Sequence, residues 1–303
     1  MRKVLFIPWA LAGLLPCSCI RENLDDCPRG IRVCLRSAVH KYKIEDVARE
    51  ACLYLYDSHG DLADTFRFPA GRLSTDDYAV VLPPRDAGRY TLVALLNPSA
   101  LHYEVTGVEA LTSFRAALKP DRADTIARRS ADLFHAHKVV SFGANAPPDT
   151  LYFYKNTVHF NVRVRFEDRP LPPPHLLSAV IDGNNGIFDY LNAKSARRRY
   201  LPYAPPVVAE DYHYRFQTMD FRTADLLALL LSETTPAGVR SIAIDIAETL
   251  GKVTLDDGSR PYDTDEELAQ EDDYTITVAL DANLKVLELT VNDWYTIKGG
   301  LEL

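Results

Sequence analysis

The chain has 303 residues, a length typical of two domains rather than one. Its 34 Lys and Arg against 42 Asp and Glu give a formal net charge of −8, which argues against nucleic-acid binding, because nucleic-acid binders carry a basic face. Hydrophobic residues make up 47% and charged residues 25%, so the composition is that of a globular protein and not of a disordered chain.

The N-terminus has the layout of an export signal. A basic start at Arg2 and Lys3 is followed by an apolar run over residues 4–15. This run is shorter than the roughly 20 residues that a membrane-spanning helix needs. We therefore predict a signal peptide over residues 1–18.

The end of this signal resembles a bacterial lipobox, in which the chain is cut before a cysteine that is then acylated. Cys19 fits best because the small residue Ser18 precedes it, whereas Cys17 follows Pro16. We therefore predict that Cys19 becomes an N-palmitoyl, S-diacylglycerol cysteine and that residues 19–30 form a lipidated tether. Pro16 departs from the apolar residue usual at its position, and the alternative is plain secretion with cleavage near Ser18.

Three further cysteines follow Cys19, namely Cys27, Cys34 and Cys52. Export permits a disulfide, and three cysteines allow three single pairings with one thiol left over. The odd number argues against a disulfide framework, and no CxxC spacing indicates zinc. Buried free thiols are the favoured interpretation.

The first half of the chain reads as short strands separated by turns. Strand-forming, alternating or turn-bounded segments are found at residues 31–36, 47–56, 62–68, 78–82 and 90–96. Apolar residues at 108, 111, 114 and 118 instead predict a helix over residues 108–118. The breaker at residues 146–149 places a domain boundary directly after it.

The second half opens with the clearest alternation, over residues 157–166. Further strands are predicted at residues 176–181, 212–218, 226–231, 274–280 and 286–294. A helical face is predicted through Ile242, Ile246, Leu250 and Val253, and an acidic loop over residues 263–273. Many short strands with frequent turns predict a mainly β fold of β-sandwiches, with one domain over residues 31–150 and another over residues 151–303.

Candidate sites for chemistry are weak. No GxSxG, Walker A, GxGxxG or HExxH motif is present, so we predict no enzyme activity and no cofactor. His135 and His137 have a weak metal-ligand spacing, for which only Asp132 lies nearby. The aromatic run Tyr152, Phe153 and Tyr154 is either a carbohydrate platform or part of a strand core. Three further segments each allow two interpretations. The acidic residues 256–267 are a calcium loop or solvated surface. Arg197–Arg199 is a protease-sensitive loop or an exposed turn, and residues 182–186 are a binding loop or a turn.

Several motifs occur in the order seen in one family. After the lipobox come Leu-Asp-Asp-Cys-Pro at residues 24–28, Leu-Tyr-Leu-Tyr-Asp-Ser-His-Gly at 53–60, Gly-Arg-Tyr-Thr-Leu-Val-Ala at 88–94, Asp-Leu-Phe-His at 132–135, Asp-Gly-Asn-Asn-Gly at 182–186 and Val-Asn-Asp-Trp at 291–294. The chain thus resembles the fimbrillin-associated anchor lipoproteins of type V fimbriae, from its signal to its last strand.

The resemblance implies two tandem transthyretin-like β-sandwich domains with one or two short helices. It implies a subunit held by lipid on the cell outer membrane at the base of a fimbrium, where it attaches the fibre and limits its length. The implied partner is a stalk subunit, bound by β-strand addition. Since only nine residues follow Trp294, we expect no long C-terminal donor strand, which favours an anchor over a stalk subunit.

Three alternatives remain open at this point. The chain is a surface lipoprotein that binds glycans, a tip or minor fimbrial subunit, or a metal-dependent hydrolase centred on His135 and His137.

Overall fold

The computed structural model describes residues 30–298, except 76, 144–145, 256 and 293, and the side chains only up to residue 292. The strands of the first half are β1 (Ile31–Ser37), β2 (Glu50–Tyr56), β3 (Leu62–Pro69), β4 (Ala79–Leu82), β5 (Gly88–Leu96), β6 (Tyr103–Thr106), β7 (Arg115–Leu118), β8 (Thr125–Ile126) and β9 (Phe134–Phe142). The strands of the second half are β10 (Asp149–Lys155), β11 (Thr157–Phe166), β12 (Leu177–Gly183), β13 (Ile187–Asp189), β14 (Lys194–Ser195), β15 (Arg198–Tyr200), β16 (Val207–Val208), β17 (Tyr212–Met219), β18 (Leu227–Thr235), β19 (Gly238–Asp245), β20 (Asp273–Leu280), β21 (Val286–Val291) and β22 (Trp294–Lys298). The helices are α1 (Ile44–Val47), α2 (Ala70–Thr75), α3 (Ile246–Gly251) and α4 (Asp265–Leu268), and a 3₁₀ turn spans Leu111–Ser113.

The strands form four sheets. Their orders are β3-β2-β5-β9-β10-β1-β4, β16-β17-β11-β20-β21-β22, β19-β18-β12-β15-β8 and β14-β13-β7-β6. None of the helices in the described residues is long and apolar enough to cross a membrane. The mainly β fold predicted from the sequence is confirmed, with four short α-helices in place of the expected one or two.

The seven-stranded sheet encloses the first hydrophobic core. Phe68 of β3 and Leu82 of β4, which lie on strands at opposite edges of this sheet, belong to one cluster of buried side chains. Strand β10 joins the two halves of the sheet, since it pairs with β1 over Asp149–Phe153 and with β9 only at Tyr154 and Lys155. The inward face therefore closes around its own core, as in a β-sandwich.

The second core lies between the six-stranded and five-stranded sheets. The alternation predicted over residues 157–166 is confirmed by β11, whose Phe160, Val162 and Val164 are fully buried. Leu227, Leu229 and Leu231 of β18 pack into the same core from the other sheet. Alternate residues of both sheets are thus buried, which is the packing of two stacked β-sheets.

Strands from the two halves of the chain also pair with each other. Strand β7 pairs with β13, and β8 pairs with β15. The second core accordingly continues into first-half residues such as Tyr54 and Phe114. The domain boundary at residue 150 stays a prediction. Strand β10 crosses this position and belongs to the seven-stranded sheet.

The predicted helix over residues 108–118 is wrong. The structure has the 3₁₀ turn at Leu111–Ser113 and then β7. Phe114, Ala116 and Leu118 belong to the second core at a spacing of two, which is the period of a strand, and Ala117 between them is also buried. The apolar residues that predicted a helical face are divided between a turn and a strand.

Two other expectations are partly correct. The helical face through Ile242 and Val253 holds only over α3, because Ile242 lies in β19. Asp245 ends that strand and caps α3 by accepting a hydrogen bond from the Glu248 N–H at 2.9 Å. The predicted acidic loop contains α4, where Thr264 and Glu267 form a capping box.

Candidate functional site

The predicted lipidation site lies outside the described residues, together with Cys17, Cys27, the signal peptide and most of the tether. The other two cysteines are both free, with Cys34 half-buried in β1 and Cys52 buried in β2. Burial raises the pKa of the Cys52 thiol to about 11, so this group is an unreactive core side chain.

Two long strands lie at the edges of sheets in the described chain. Strands β3 and β19 each have eight residues, whereas the other edge strands have five or fewer. Strand β3 carries features that discourage pairing with another chain: Pro69, and Asp64, which is ion-paired with Arg85. Strand β19 has no proline and keeps an uninterrupted register with β18.

The geometry of the β18–β19 hairpin shows which main-chain groups face outward. Thr235 pairs with Gly238 across a two-residue turn, so this pair is hydrogen-bonded and the pairs alternate from there. The N–H and C=O groups of Val239, Ser241 and Ala243 therefore point away from β18. All three residues are exposed. The outer edge of β19 is a strand-pairing surface that no other described strand occupies.

A cleft of about 420 Å³ lies beside β9 and β10, where the seven-stranded sheet meets the second half of the chain. Tyr152, Tyr154 and His137 line one wall, and Arg222 and Glu266 belong to the other. The cleft is within the size range of small-ligand sites.

The aromatic run at residues 152–154 divides between two faces of β10. Phe153 is fully buried in the first core, whereas Tyr152 and Tyr154 are 57% and 48% exposed and line the cleft. This is the expected alternation of a strand. The strand-core interpretation therefore holds for Phe153 alone, and the carbohydrate platform stays a prediction for Tyr152 and Tyr154.

His135 lies at the floor of the cleft. It sits directly opposite Tyr154 in the β9–β10 ladder, is 2% exposed, and its Nε2 has no hydrogen-bond partner. Burial, together with the neighbouring His137 and Lys194, lowers the pKa of His135 to about 3. The imidazole is therefore neutral at physiological pH and holds an unsatisfied nitrogen.

A buried charge network forms the base of the cleft and connects the two halves of the chain. The Lys155 ammonium, only 7% exposed, contacts the carboxylate of Asp272 and lies 3.0 Å from that of Asp132. Asp272 also accepts from Lys41 at 2.8 Å, and Asp132 lies 3.0 Å from His159 Nε2. Burial alone would raise the pKa of Asp132, but the hydrogen bond from His159 and the charges of Lys155 and His159 hold it well below its usual range.

The remaining sequence candidates form no further site in the described residues. His135 and His137 lie on β9, and no group of three His, Cys, Asp or Glu side chains in the described residues could hold a metal ion. Arg197 is ion-paired with Asp182 beside β15. Asn185 is fully buried and donates to the Met219 carbonyl at 2.7 Å, so the turn at residues 182–186 is fixed by the core.

Several bacterial proteins of known structure share this fold. It is similar to a candidate polysaccharide-binding protein from Bacteroides thetaiotaomicron (TM-score 0.75, 19% identity, 89% of this chain and 98% of that one). It is similar to a candidate adhesin from the same organism (TM-score 0.72, 19% identity, 90% and 98%). It is also similar to the fimbrial anchor protein Mfa2 from Porphyromonas gingivalis (TM-score 0.68, 20% identity, 88% and 98%).

The family is settled by the sequence itself. The family model described as fimbrillin-A associated anchor proteins Mfa1 and Mfa2 matches residues 24–298. The chain therefore belongs to this family, as the motif order predicted. No curated protein matches the chain significantly.

Proposed function

We propose that this protein is the base anchor of a fimbrium, held on the outer membrane by lipid on Cys19. The observation that carries the proposal is the family match, which begins at residue 24, five residues after the predicted lipobox cysteine. The role is structural rather than catalytic and requires no cofactor. An anchor of this kind attaches the fibre to the cell and limits its length.

The lipid supplies a long-lived attachment, because each buried CH₂ contributes about 0.8 kcal/mol and several acyl chains act together. The segment between Cys19 and β1 can reach at most about 40 Å. The folded part would therefore stay close to the membrane surface while its sheet edges remain available to a stalk subunit.

The first test replaces Cys19 with Ala in the native cell. We expect the variant to lose palmitate labelling and to leave the membrane fraction, because no acyl chain then holds it. Cys17→Ala is the matched control and should keep both. Labelling that persists in Cys19→Ala and disappears in Cys17→Ala would contradict the assignment of Cys19.

We further propose that the stalk subunit adds a strand to the outer edge of β19. This edge offers the outward-facing peptide groups of three residues on a strand without proline, whose Arg240 is paired with Glu233 of the neighbouring β18. Main-chain hydrogen bonds supply the affinity in strand addition. The long β3 edge is less suited because Pro69 and the charged pair at Asp64 discourage pairing.

Ser241→Pro tests this edge. The substitution removes an outward N–H without breaking a β18–β19 ladder bond, so the sheet should remain folded. We expect the variant to reach the membrane in normal amounts and the number of attached fibres per cell, counted by electron microscopy, to fall at least about tenfold. Ser241→Ala keeps the N–H and should retain the fibres. Normal fibre numbers with Ser241→Pro would show that the stalk binds elsewhere.

A further inference from the structure

We propose that the cleft beside β9 and β10 is a binding site for a short, neutral oligosaccharide. The site is distinct from the lipid anchor and from the β19 edge, and it stands on observations independent of both. It would let the protein hold a surface glycan while it holds a fibre.

The exposed tyrosines are the first observation. No other Tyr, Phe or Trp side chain in the described part of the chain is as exposed as Tyr152 and Tyr154. They lie two residues apart on one face of β10, so their rings are about 7 Å apart along the strand. Flat aromatic faces at this spacing suit the apolar C–H faces of successive sugar rings. A ligand that covers the two rings would gain the free energy of removing their apolar surface from water.

The polar groups of the cleft suit hydroxyls. His135 Nε2 is buried, unpartnered and neutral, directly beside Tyr154. This nitrogen carries the cost of an unpaired buried polar atom, and a ligand hydroxyl would relieve that cost once a side-chain rotation opens the floor of the cleft to it. Asn192 and Arg222 add further hydrogen-bonding groups on the opposite wall.

The charges favour a neutral sugar over an acidic one. Lys155 is committed to Asp132 and Asp272, so its charge is already neutralised. Asp265 and Glu266 of α4 add negative charge at the rim. A uronic acid or sulfated sugar would meet these carboxylates and be repelled, whereas hydroxyl groups can donate to them.

The shape favours a short chain of sugars. A cleft of about 420 Å³ lies towards the small end of ligand sites, which suits about two sugar units. Beyond Tyr152 the outer face continues to Arg36, its exposed neighbour on β1 in the parallel ladder. A longer chain could therefore leave the cleft along this face.

The test uses the whole chain, purified in detergent, on an array of neutral oligosaccharides of the cello-, laminari-, manno-, xylo- and lacto-series. We expect at least one neutral series to bind. For that glycan, Tyr152→Ala/Tyr154→Ala should weaken the dissociation constant at least about tenfold by calorimetry, because two aromatic contacts are lost. Tyr152→Phe/Tyr154→Phe keeps both rings and should stay within about threefold.

Two controls keep the result readable. Leu101→Ala, at a side chain that is 70% exposed and is not part of the cleft, should leave binding unchanged. Cells carrying the tyrosine double variant should still show anchored fibres, so failure of the glycan site would be seen separately from failure of the anchor function. Binding of no neutral series, of acidic glycans or basic peptides alone, or equal binding by the alanine variant would overturn the proposal.

Discussion

Replacing Lys155 with Met is expected to lower the free energy of unfolding by about 3 kcal/mol, because two carboxylates then lose their shared cation. Lys155 is almost fully buried between Asp272, which is itself 10% exposed, and Asp132. Methionine fills a similar volume, so the change isolates the charge. Lys41 and His159 remain beside the two carboxylates and limit the loss.

Urea unfolding at pH 7.5 measures this difference, and Lys252→Met is the matched control. Lys252 pairs with Glu248 on the surface of α3, with both side chains at least half exposed, so its removal should cost less than about 0.5 kcal/mol. Equal and small effects for the two variants would show that the network around Lys155 does not stabilise the junction between the halves.

As the pH falls, we expect His135 to destabilise the protein at a higher pH than Asp132 and Asp272 do. The pKa of this histidine is lowered from an ordinary 6.5 to about 3 in the folded chain. Between these two pH values the unfolded chain binds a proton at this position and the folded chain does not, so protons favour unfolding. The contribution of the neutral His135 to the free energy of unfolding is fully present above pH 6.5 and is lost as the pH falls towards 3. The loss at pH 4.5 should be about 2–3 kcal/mol.

The carboxylates act at lower pH. The pKa values of Asp132 and Asp272 are lowered, so their contribution is lost only as the pH falls below the value of about 3.9 of an unfolded aspartate. Burial instead raises the pKa of Asp220, so its protonation acts in the opposite direction as the pH falls. The effect of His135 is therefore read from the difference between the wild type and a His135 variant between pH 6.5 and 4.5. Urea unfolding across this window should show a steep slope in the wild type and a flatter one in His135→Gln. If the slope is unchanged in His135→Gln and flatter in His137→Gln, the pH dependence comes from His137 and the assignment to His135 is wrong.

The strand pattern could be predicted where one face of a strand is buried. Residues 157–166 alternate along the chain because β11 faces a core on one side only, and the sequence period equals the structural one. The same rule explains the failure at residues 108–118. A three-residue turn and a four-residue strand are too short to establish either period, and together they imitate a helix.

The cleft could be predicted only in part. The alternation around Phe153 indicates that Tyr152 and Tyr154 share a face, but no local pattern tells whether that face is covered by another sheet. Lys155 and Asp272 are more than a hundred residues apart in sequence and meet only because β11 pairs in parallel with β20. The pairings of β7 with β13 and of β8 with β15 are likewise properties of the tertiary fold.

The family motifs proved more informative than any single chemical signature. Asp-Leu-Phe-His at residues 132–135 contains Asp132 of the charge network and His135 of the cleft floor. Asn185, in the turn at residues 182–186, is fully buried and bonded to the core. These two motifs thus contain side chains that are held in the charge network or in the core, and the order of the motifs along the chain identified the family although no catalytic pattern was present.

The most direct measurement of the anchor role is electron microscopy of cells that carry Cys19→Ala, with the culture medium examined alongside the cells. If the protein holds the base of the fibre through lipid on Cys19, the fibres should be found in the medium, longer than those of the wild type, and the cell surface should be bare. Fibres of normal length that remain attached to cells, although the variant has left the membrane, would contradict the role of base anchor.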